Sequence, residues 1–280
     1  MEHLMTKERA ADFEVHLRRE ERSPGTIAKY LRDVRQFTAW LDGSPVTKEA
    51  VAGWKEHLLT TGREPSTVNG KLASLNAFLC FSGWEDCRVR SLRLQRKLFR
   101  DAGKELTRAE YERLTRTAQT LGKARLSLLM ETICATGIRV SEVKYITVEA
   151  AGSGRAEISL KGKIRTILIP GRLCRKLLKY AKKNKIASGE IFLTRSGSSL
   201  SRKQIWAEMK ALCAAAGVEP SKVFPHNLRH LFATVFYKAC KDIAKLADVL
   251  GHSSVETTRI YLLTTGAEHA RQLDRLRLVC

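Results

Sequence analysis

The sequence predicts a mainly α-helical protein with two domains, of which the second also contains a small antiparallel β-sheet. The chain has 280 residues, a length that suits about two domains. Apolar residues recur at spacings of three and four over much of the chain, which is the period of an amphipathic helix. The period changes to two within residues 156–169, where β-branched residues cluster, and this indicates paired strands.

The first domain, residues 1–87, is predicted to be a four-helix unit. Its helices are predicted to begin near Thr6, Thr26, Thr47 and Pro65. The second helix follows the stop-and-cap sequence that starts at Ser23. Its apolar stripe consists of Ile27, Tyr30, Leu31, Val34, Phe37 and Leu41. Such helices are expected to pack into a compact unit with its own core.

The second domain, residues 105–280, begins with a capping box, because Thr107 is followed three residues later by Glu110. Helices are predicted over residues 107–121, 123–135, 172–185 and 202–216, a hairpin over 156–160 and 164–169, and a short strand over 191–193. From Pro225 the chain is predicted to be helical, with breaks at 251–253 and at Gly266. A tail helix is therefore expected from about residue 266.

The charge of the chain indicates a polyanionic partner. Lysine and arginine number 50 and aspartate and glutamate 29, which gives a formal net charge of +21. Nucleic acid is the usual partner of so basic a protein, and a ribosome-associated or simply soluble basic protein is the alternative. The excess is +5 in residues 1–104 and +16 in residues 105–280, so the second part is expected to hold phosphates more strongly.

Residues 88–104 are interpreted as a basic interdomain linker. Its basic residues are Arg88, Arg90, Arg93, Arg96, Lys97, Arg100 and Lys104, and its one acidic residue is Asp101. A run of like charge repels itself unless something neutralises it. We therefore favour a linker that runs along DNA over a solvated helix face, and expect the six residues from Arg88 to Arg100 to contact it.

Other classes of protein find little support in the sequence. No apolar run approaches the roughly 18–20 residues that cross a membrane, and the first nine residues lack the apolar region of a secretory signal. The seven cysteines are scattered and form no Cys-x-x-Cys pair, so neither a zinc ribbon nor a disulfide framework is indicated. We expect a cytoplasmic, nucleoid-associated protein with no membrane partner.

Six residues of the second domain carry side chains suited to phosphate chemistry. In chain order they are Arg139, Lys161, His226, Arg229, His252 and Tyr261. Each alone also fits a structural explanation: a surface arginine after a helix-capping glycine, a lysine at a hairpin tip, a buried histidine or a packed tyrosine. His226 and Arg229 are three residues apart, so on a helix they share a face.

Together these side chains suit an in-line displacement at a phosphodiester. Arginine forks bind the non-bridging oxygens and stay charged. A tyrosine phenol can form a phosphoester, a lysine can protonate the leaving oxygen, and histidines can hydrogen-bond the phosphate or relay protons. No carboxylate cluster suited to magnesium accompanies them, so a metal-dependent nuclease is disfavoured and no metal or other cofactor is expected.

The order of these residues resembles that of the tyrosine recombinase (phage-integrase) family, especially its compact Xer-type members. The matching strings are Thr-Gly-Ile-Arg-Val-Ser-Glu from Thr136, His-Asn-Leu-Arg-His-Leu-Phe-Ala-Thr from His226, and Leu-Gly-His-Ser-Ser-Val-Glu-Thr-Thr-Arg-Ile-Tyr from Leu250. This resemblance covers about residues 105–265 and implies the tyrosine recombinase catalytic fold. The helical unit is similar to the family's core-DNA-binding domain by pattern rather than by motif.

The resemblance implies a site-specific recombinase that cleaves and rejoins DNA strands without metal or ATP. Tyr261 would attack the scissile phosphate and form a 3′-phosphotyrosine bond, releasing a 5′ hydroxyl. Arg139 and Arg229 would hold the phosphate and stabilise its developing charge. Lys161 would protonate the leaving oxygen, and Lys163, on the other side of the turn glycine, is the alternative donor.

Catalytic roles are also implied for two histidines, and supporting roles for Glu142 and Lys163. His226 would assist proton transfer, and His252 would hydrogen-bond the phosphate. Glu142 matches the family's acidic position near the first arginine and would orient another active-site side chain. His230, adjacent to the second arginine, is expected to be structural.

The resemblance also implies a partner and an assembly. Double-stranded DNA would lie in a C-shaped clamp, with a dimer on one site and a homotetramer on two. Separately, the helical spacing of Leu273, Leu276 and Val279 supports the hypothesis that the tail from residue 266 docks on a neighbouring protomer. The sequence leaves open an accessory protein or second recombinase, and a role in integration, excision, resolution or inversion.

Two alternatives use the same fold. A type IB topoisomerase performs this chemistry without pairing sites, and relaxation of supercoiled DNA of any sequence would favour it. A catalytically silent DNA-binding regulator would keep the fold and lose residues of the set. The complete set of six argues against that regulator.

Overall fold

The computed structural model describes residues 3–95, 102–160, 163–261, 270–271 and 274–276. The described chain is mostly helical and contains one two-stranded antiparallel sheet. It divides into unit 1, Met1–Arg96, and unit 2, Lys97–Cys280. The fold class expected from the sequence is confirmed. Over the described residues, every helix is too short or too polar to span a membrane.

Unit 1 contains the four helices that the apolar stripes predict. They are α1 (Lys7–Arg19), α2 (Pro24–Leu41), α3 (Lys48–Thr60) and α4 (Pro65–Phe81). Thr6, Ser23 and Thr47 cap the first three, because each hydroxyl accepts a hydrogen bond from the backbone N–H three residues on. Its core includes the fully buried side chains of Phe13, Phe37, Trp54, Leu75 and Phe78. Burial of each contributes about 1.5–3 kcal/mol.

The segment after α4 is held against that helix by two asparagines. Asn76 donates to the carbonyl oxygen of Val89 at 2.9 Å and accepts from its N–H at 3.3 Å. Asn69 makes the same pair of bonds with Leu92, at 2.9 and 2.7 Å. The asparagines are seven residues apart, so they lie on one face of α4. The first part of the predicted linker therefore lies on the surface of unit 1.

Unit 2 surrounds its core with eight helices and the hairpin in the described residues. The helices are α5 (Arg108–Thr120), α6 (Ala124–Thr136), α7 (Val148–Ser153), α8 (Gly171–Lys183), α9 (Arg202–Lys210), α10 (Cys213–Ala216), α11 (Pro225–Cys240) and α12 (Ile243–Leu250). Thr107 and Glu110 form the predicted capping box at α5. Short 3-10 turns at Val140–Tyr145, Val255–Thr257 and Arg259–Tyr261 carry residues near the site described below.

The hairpin consists of β1 (Arg155–Leu160) and β2 (Lys163–Leu168). Their register runs from Arg155 opposite Leu168 to Leu160 opposite Lys163. Ala156, Ile158 and Ile167 face the core and are at most 3% exposed, which explains the period of two in the sequence.

Three sequence-based expectations about unit 2 are wrong in detail. Residues 191–193 form no strand, but only isolated bridges at Glu190 and Leu193. Their apolar run reflects burial, because Ile191 and Phe192 belong to the core. The helix expected over 202–216 is two helices, and α11 ends at Cys240, because Lys241 adopts a left-handed conformation. A short apolar run cannot distinguish a strand from a buried loop by its period.

Candidate active site

The end of α6 supplies a backbone acceptor to the site. Gly137 closes α6 with φ +66°, and its N–H donates to the carbonyl oxygen of Ile133 at 2.9 Å. A Cβ on Gly137 would lie 2.4 Å from the ring of Phe232 on α11, so glycine lets the two helices approach. Its carbonyl oxygen accepts from a terminal nitrogen of Arg229 at 2.5 Å. The glycine is thus both a helix cap and a ligand of the buried arginine.

Arg139 precedes a 3-10 turn and is held by Glu142 within that turn. The backbone N–H of Arg139 donates to Oε2 of Glu142 at 2.7 Å, and its guanidinium donates to Oε1 at 2.9 Å. The Arg139 side chain is 41% exposed, whereas that of Glu142 is 2% exposed. Burial raises the pKa of the Glu142 carboxyl, but the Arg139 N–H and the charge of Arg165 outweigh it and hold the pKa below its usual value.

Arg229 lies on α11 and is 2% exposed. Its guanidinium donates to the carbonyl oxygens of Gly137 and Leu250, at 2.5 and 2.8 Å. No carboxylate of the described residues lies within 4 Å of it. Burial lowers the pKa of Arg229 to about 10, and the nearby charge of Arg139 adds to this effect. The guanidinium is still charged at neutral pH, so this is a buried cation that no carboxylate of the described residues neutralises.

His252 follows Gly251, the residue that ends α12 with φ +63°. Its Nε2 lies 3.0 Å from a terminal nitrogen of Arg229, and its Nδ1 lies 2.9 Å from the hydroxyl of Thr258. A guanidinium can only donate, so Nε2 accepts and the proton lies on Nδ1. Burial, followed by the charges of Arg229 and Arg139, lowers the pKa of His252 to about 4. The imidazole is therefore neutral at physiological pH.

Tyr261 lies at the end of the last 3-10 turn and is 4% exposed. It packs in a small apolar cluster with Ala233, Leu246 and Leu250 of α11 and α12. Its ring stacks on His252 with the centroids 6.1 Å apart, and it meets the His230 ring edge-on at 5.0 Å. The Tyr261 side chain also interacts favourably with the charge of Arg229. The phenol is thus held beside the buried guanidinium.

A cavity of about 780 Å³ joins these groups. Its described lining includes five of the six predicted residues, which are Arg139, His226, Arg229, His252 and Tyr261. It also contains two further cations, Arg202 and Lys203, and no carboxylate. Desolvation of the His226 ring, together with the charge of Arg229, lowers the pKa of His226. Four cations and two neutral imidazoles therefore surround one tyrosine, which is an arrangement suited to an anion.

The remaining predicted residues are placed as follows. Lys161 lies outside the described residues, and Lys163 begins β2 opposite Leu160. Arg88, Arg90 and Arg93 are exposed on unit 1. Arg96, Lys97 and Arg100 of the linker and most of the tail from residue 266 also lie outside the described residues.

Besides the cavity-lining Arg202 and Lys203, sequence reasoning missed two residues that support the site. Arg165 of β2 donates to Oε2 of Glu142 at 2.5 Å, and Thr258 holds Nδ1 of His252. Arg165 and Thr258 both lie close in sequence to a predicted residue, but neither has a sequence spacing that indicates a functional residue. His230, expected to be structural, contacts the ring of Tyr261. The contacts of Arg165 with Glu142 and of His230 with Tyr261 join residues more than 20 positions apart, so periodicity carried no signal for them.

One group of metal-ligating side chains occurs in the described residues, in unit 1. The ligand atoms of His3, Asp86 and Cys87 lie within 4.8 Å of one another. Burial raises the pKa of the Cys87 thiol, whose Sγ lies 3.6 Å from the carbonyl oxygen of Val46. A thiol kept protonated is a poor metal ligand, so we assign no metal to this group.

Comparison with known proteins identifies the family. Residues 104–267 match the family described as "Phage integrase family", and residues 10–86 match "Phage integrase, N-terminal SAM-like domain". The chain is 31% identical to tyrosine recombinase XerA of Thermococcus kodakarensis, over 93% of this chain and 92% of that protein. It is 30% identical to tyrosine recombinase XerD of Xanthomonas axonopodis pv. citri, over 89% of each.

Solved structures share the fold. A lambda integrase dimer bound to a COC′ core site matches with a TM-score of 0.74 and 19% identity, over 94% of this chain and 97% of that one. XerH bound to its difH substrate before cleavage matches with a TM-score of 0.68 and 20% identity, over 90% and 79%. The chain belongs to the phage integrase family and is a site-specific tyrosine recombinase.

Proposed function

We propose that Tyr261 is the nucleophile of a DNA strand-transfer reaction in this cavity. The observation that carries the proposal is a buried tyrosine beside Arg229, a buried guanidinium with no carboxylate partner in the described chain. A scissile phosphate would supply the missing anion. Binding it there would balance a charge that is otherwise costly to bury.

The reaction proceeds by in-line displacement at phosphorus. The phenol oxygen of Tyr261 forms a bond to phosphorus as the bond to the 5′ oxygen breaks, which leaves a 3′-phosphotyrosine and a free 5′ hydroxyl. Attack by a 5′ hydroxyl of another strand reverses the step and regenerates the phenol. One phosphoester replaces another each time, so the energy of the bond is kept and no ATP is consumed. The described lining has no carboxylate, so the residues described provide no hard-metal site in the cavity.

The cations and histidines have the remaining roles in the reaction. Arg139 and Arg229 bind the non-bridging oxygens and stabilise the charge that develops in the transition state. Once Arg229 turns to the phosphate, Nε2 of His252 is free to carry the ring proton and donate it to a phosphate oxygen, while Nδ1 accepts from the hydroxyl of Thr258. His226, at the cavity wall, assists removal of the phenol proton. Lys161 protonates the leaving oxygen, and Lys163 is its alternative.

Double-stranded DNA is the proposed partner, in the cytoplasm and at the nucleoid. The exposed Arg88, Arg90 and Arg93 are proposed to contact its phosphates, together with Arg96, Lys97 and Arg100. We infer a dimer on one site and a homotetramer on two. Deleting residues 267–280 should then impair the pairing of two sites more than binding to one site. An equal loss of both would contradict this role of the tail.

The first test is a covalent trap. The full chain is incubated with nicked duplexes taken from the DNA that flanks its gene, denatured in detergent, and examined for DNA that stays attached to protein. Tyr261→Phe should lose the attached band while it still binds DNA, with cleavage lower by on the order of 10³-fold or more. The matched control is Tyr180→Phe, which removes the hydroxyl of a partly buried tyrosine on α8 and should keep the band.

The other outcomes separate the alternatives. A band that survives Tyr261→Phe would show that another residue is the nucleophile. DNA binding without a covalent band on any substrate would favour a silent regulator. Relaxation of supercoiled DNA regardless of sequence would favour a topoisomerase.

A further inference from the structure

Arg165 is a partly buried cation that the proposed chemistry does not use. It lies on β2, its side chain is 16% exposed, and it donates to Oε2 of Glu142 at 2.5 Å. A second donor reaches the carbonyl oxygen of Val249 at 3.3 Å. Its Nε is buried and has no hydrogen-bond partner among the described atoms. A buried ion pair with an unsatisfied donor adds little to stability, so its geometry calls for another explanation.

The turn after α12 fixes this guanidinium in place. A Cβ on Gly251 would lie 2.5 Å from both Cδ and a terminal nitrogen of Arg165, so the arginine packs directly on the glycine backbone. Burial and this close packing leave Arg165 few alternative rotamers. Its guanidinium is therefore held beside Oε2 of Glu142.

Glu142 is shared between two arginines. Oε1 accepts from the guanidinium of Arg139, and Oε2 accepts from Arg165 and from the backbone N–H of Arg139. The Arg139 guanidinium thus donates to one carboxylate oxygen of Glu142 and not to both. A carboxylate with both oxygens free would form a two-bond fork with Arg139 and occupy the face that a phosphate needs.

We propose that Arg165 is a positioning residue that acts through Glu142 on Arg139. Together with the backbone N–H of Arg139, it holds Oε2 and so limits Glu142 to a single bond with the Arg139 guanidinium, which leaves that side chain oriented and still able to bind a phosphate. This inference rests on the proposed strand-transfer function. Arg165 itself touches neither the phosphate nor the nucleophile in this arrangement.

The test measures single-turnover cleavage of a nicked duplex at saturating protein, together with the Kd for the same DNA. Arg165→Ala is expected to lower the cleavage rate by about 10- to 100-fold with the Kd changed by less than about two-fold, because the misplaced group acts in the transition state. The matched control is Arg155→Ala, which removes an exposed arginine of β1 and should cleave at the native rate.

A double-mutant cycle with Glu142→Gln separates positioning from a general structural role. If Arg165 acts through Glu142, adding Arg165→Ala to Glu142→Gln should slow cleavage by no more than about two-fold. If Arg165 were merely structural, Arg165→Ala would lower the cleavage rate by the same factor in the native chain and in Glu142→Gln. Thermal unfolding identifies a variant that fails to fold, and Arg165→Gln, which keeps much of the stem, then takes the place of Arg165→Ala with the same thresholds.

Two results would overturn the inference. One is a cleavage rate in Arg165→Ala within about two-fold of the native chain. The other is an undiminished loss in the Glu142→Gln background. A native chain that forms no covalent complex would instead refute the proposed function, and this inference with it. When the native chain and Arg155→Ala both form the complex, the cleavage rates of the Arg165 variants decide whether Arg165 is a positioning residue.

Discussion

Arg229 and His252 are joined by a hydrogen bond of 3.0 Å from a guanidinium nitrogen to Nε2. The bond requires the neutral imidazole with its proton on Nδ1, which lies beside Thr258. The charged guanidinium of Arg229 and the neutral imidazole of His252 are thus adjacent at the wall of the Tyr261 cavity. Without a bound anion, the arginine uses the histidine and two backbone carbonyls as its partners. The predictions below follow from this arrangement and from the packing around it.

Inorganic phosphate is expected to stabilise the native chain. An anion that binds only the folded state raises its free energy of unfolding, by about 2.7 kcal/mol at 100 times its Kd. For a domain of this size each kcal/mol raises Tm by about 2–4 °C. Thermal unfolding with increasing phosphate should show this rise in the native chain and in Arg155→Gln, but not in Arg229→Gln. An equal rise in all three would place the anion elsewhere.

Stability should fall as the pH falls from about 6.5 to about 4. The pKa of His252 is about 4 in the folded chain, against an ordinary value of 6.5. The unfolded chain therefore binds the proton first, so the contribution of His252 is fully present above pH 6.5 and is lost through this window. The lowered pKa of His226 acts in the same direction.

The measurement is urea unfolding at pH 7.5 and pH 5. His252→Gln should lose less stability between the two than the native chain does, because it lacks one of the titrating groups. His57→Gln, at an exposed position on α3, serves as the control and should follow the native chain. An unchanged pH dependence in His252→Gln would contradict the assignment.

Gly251→Ala should destabilise the chain more than Gly154→Ala. Both glycines have positive φ, +63° and +73°, so both alanines carry a backbone strain of about 1–3 kcal/mol. Only at Gly251 does the new Cβ meet another side chain, Arg165, at 2.5 Å; nothing lies within 4 Å at Gly154. The difference between the Tm values of the two variants measures the cost of the clash with Arg165. Equal losses would mean that Arg165 moves aside at little cost.

Asn69→Ala combined with Asn76→Ala should release the segment after α4. Four hydrogen bonds to Val89 and Leu92 are lost, and the backbone groups they satisfied become free to open. Limited trypsin digestion, followed by mass spectrometry, should then show faster cleavage after Arg88, Arg90 and Arg93, by about ten-fold or more. Asn184→Ala, which removes an exposed amide on unit 2, should leave this rate unchanged. Unaltered cleavage in the double variant would mean that other contacts hold the segment.

Much of this protein could be predicted from the sequence, because local rules decide it. The helix starts of unit 1 follow from caps such as Ser23 and from apolar stripes of period 3.6, and the hairpin follows from its period of two. The order of Arg139, Arg229, His252 and Tyr261 resembles one family closely enough to imply a chemistry. These features depend on residues that are near one another in the chain or on the characteristic order of side chains in a family.

The tertiary structure decided what the order of residues cannot express. The strand expected at 191–193 is a buried loop, because apolar character reports burial without reporting its shape. The pairing of Arg165 with Glu142 spans 23 residues, and the contact of Arg229 with Gly137 spans 92. The lowered pKa values of Arg229 and His252 arise from desolvation and neighbouring charges, which exist only after the chain has folded. The sequence by itself therefore determined which groups are available, and packing determined which of them share a cavity and in what state of charge.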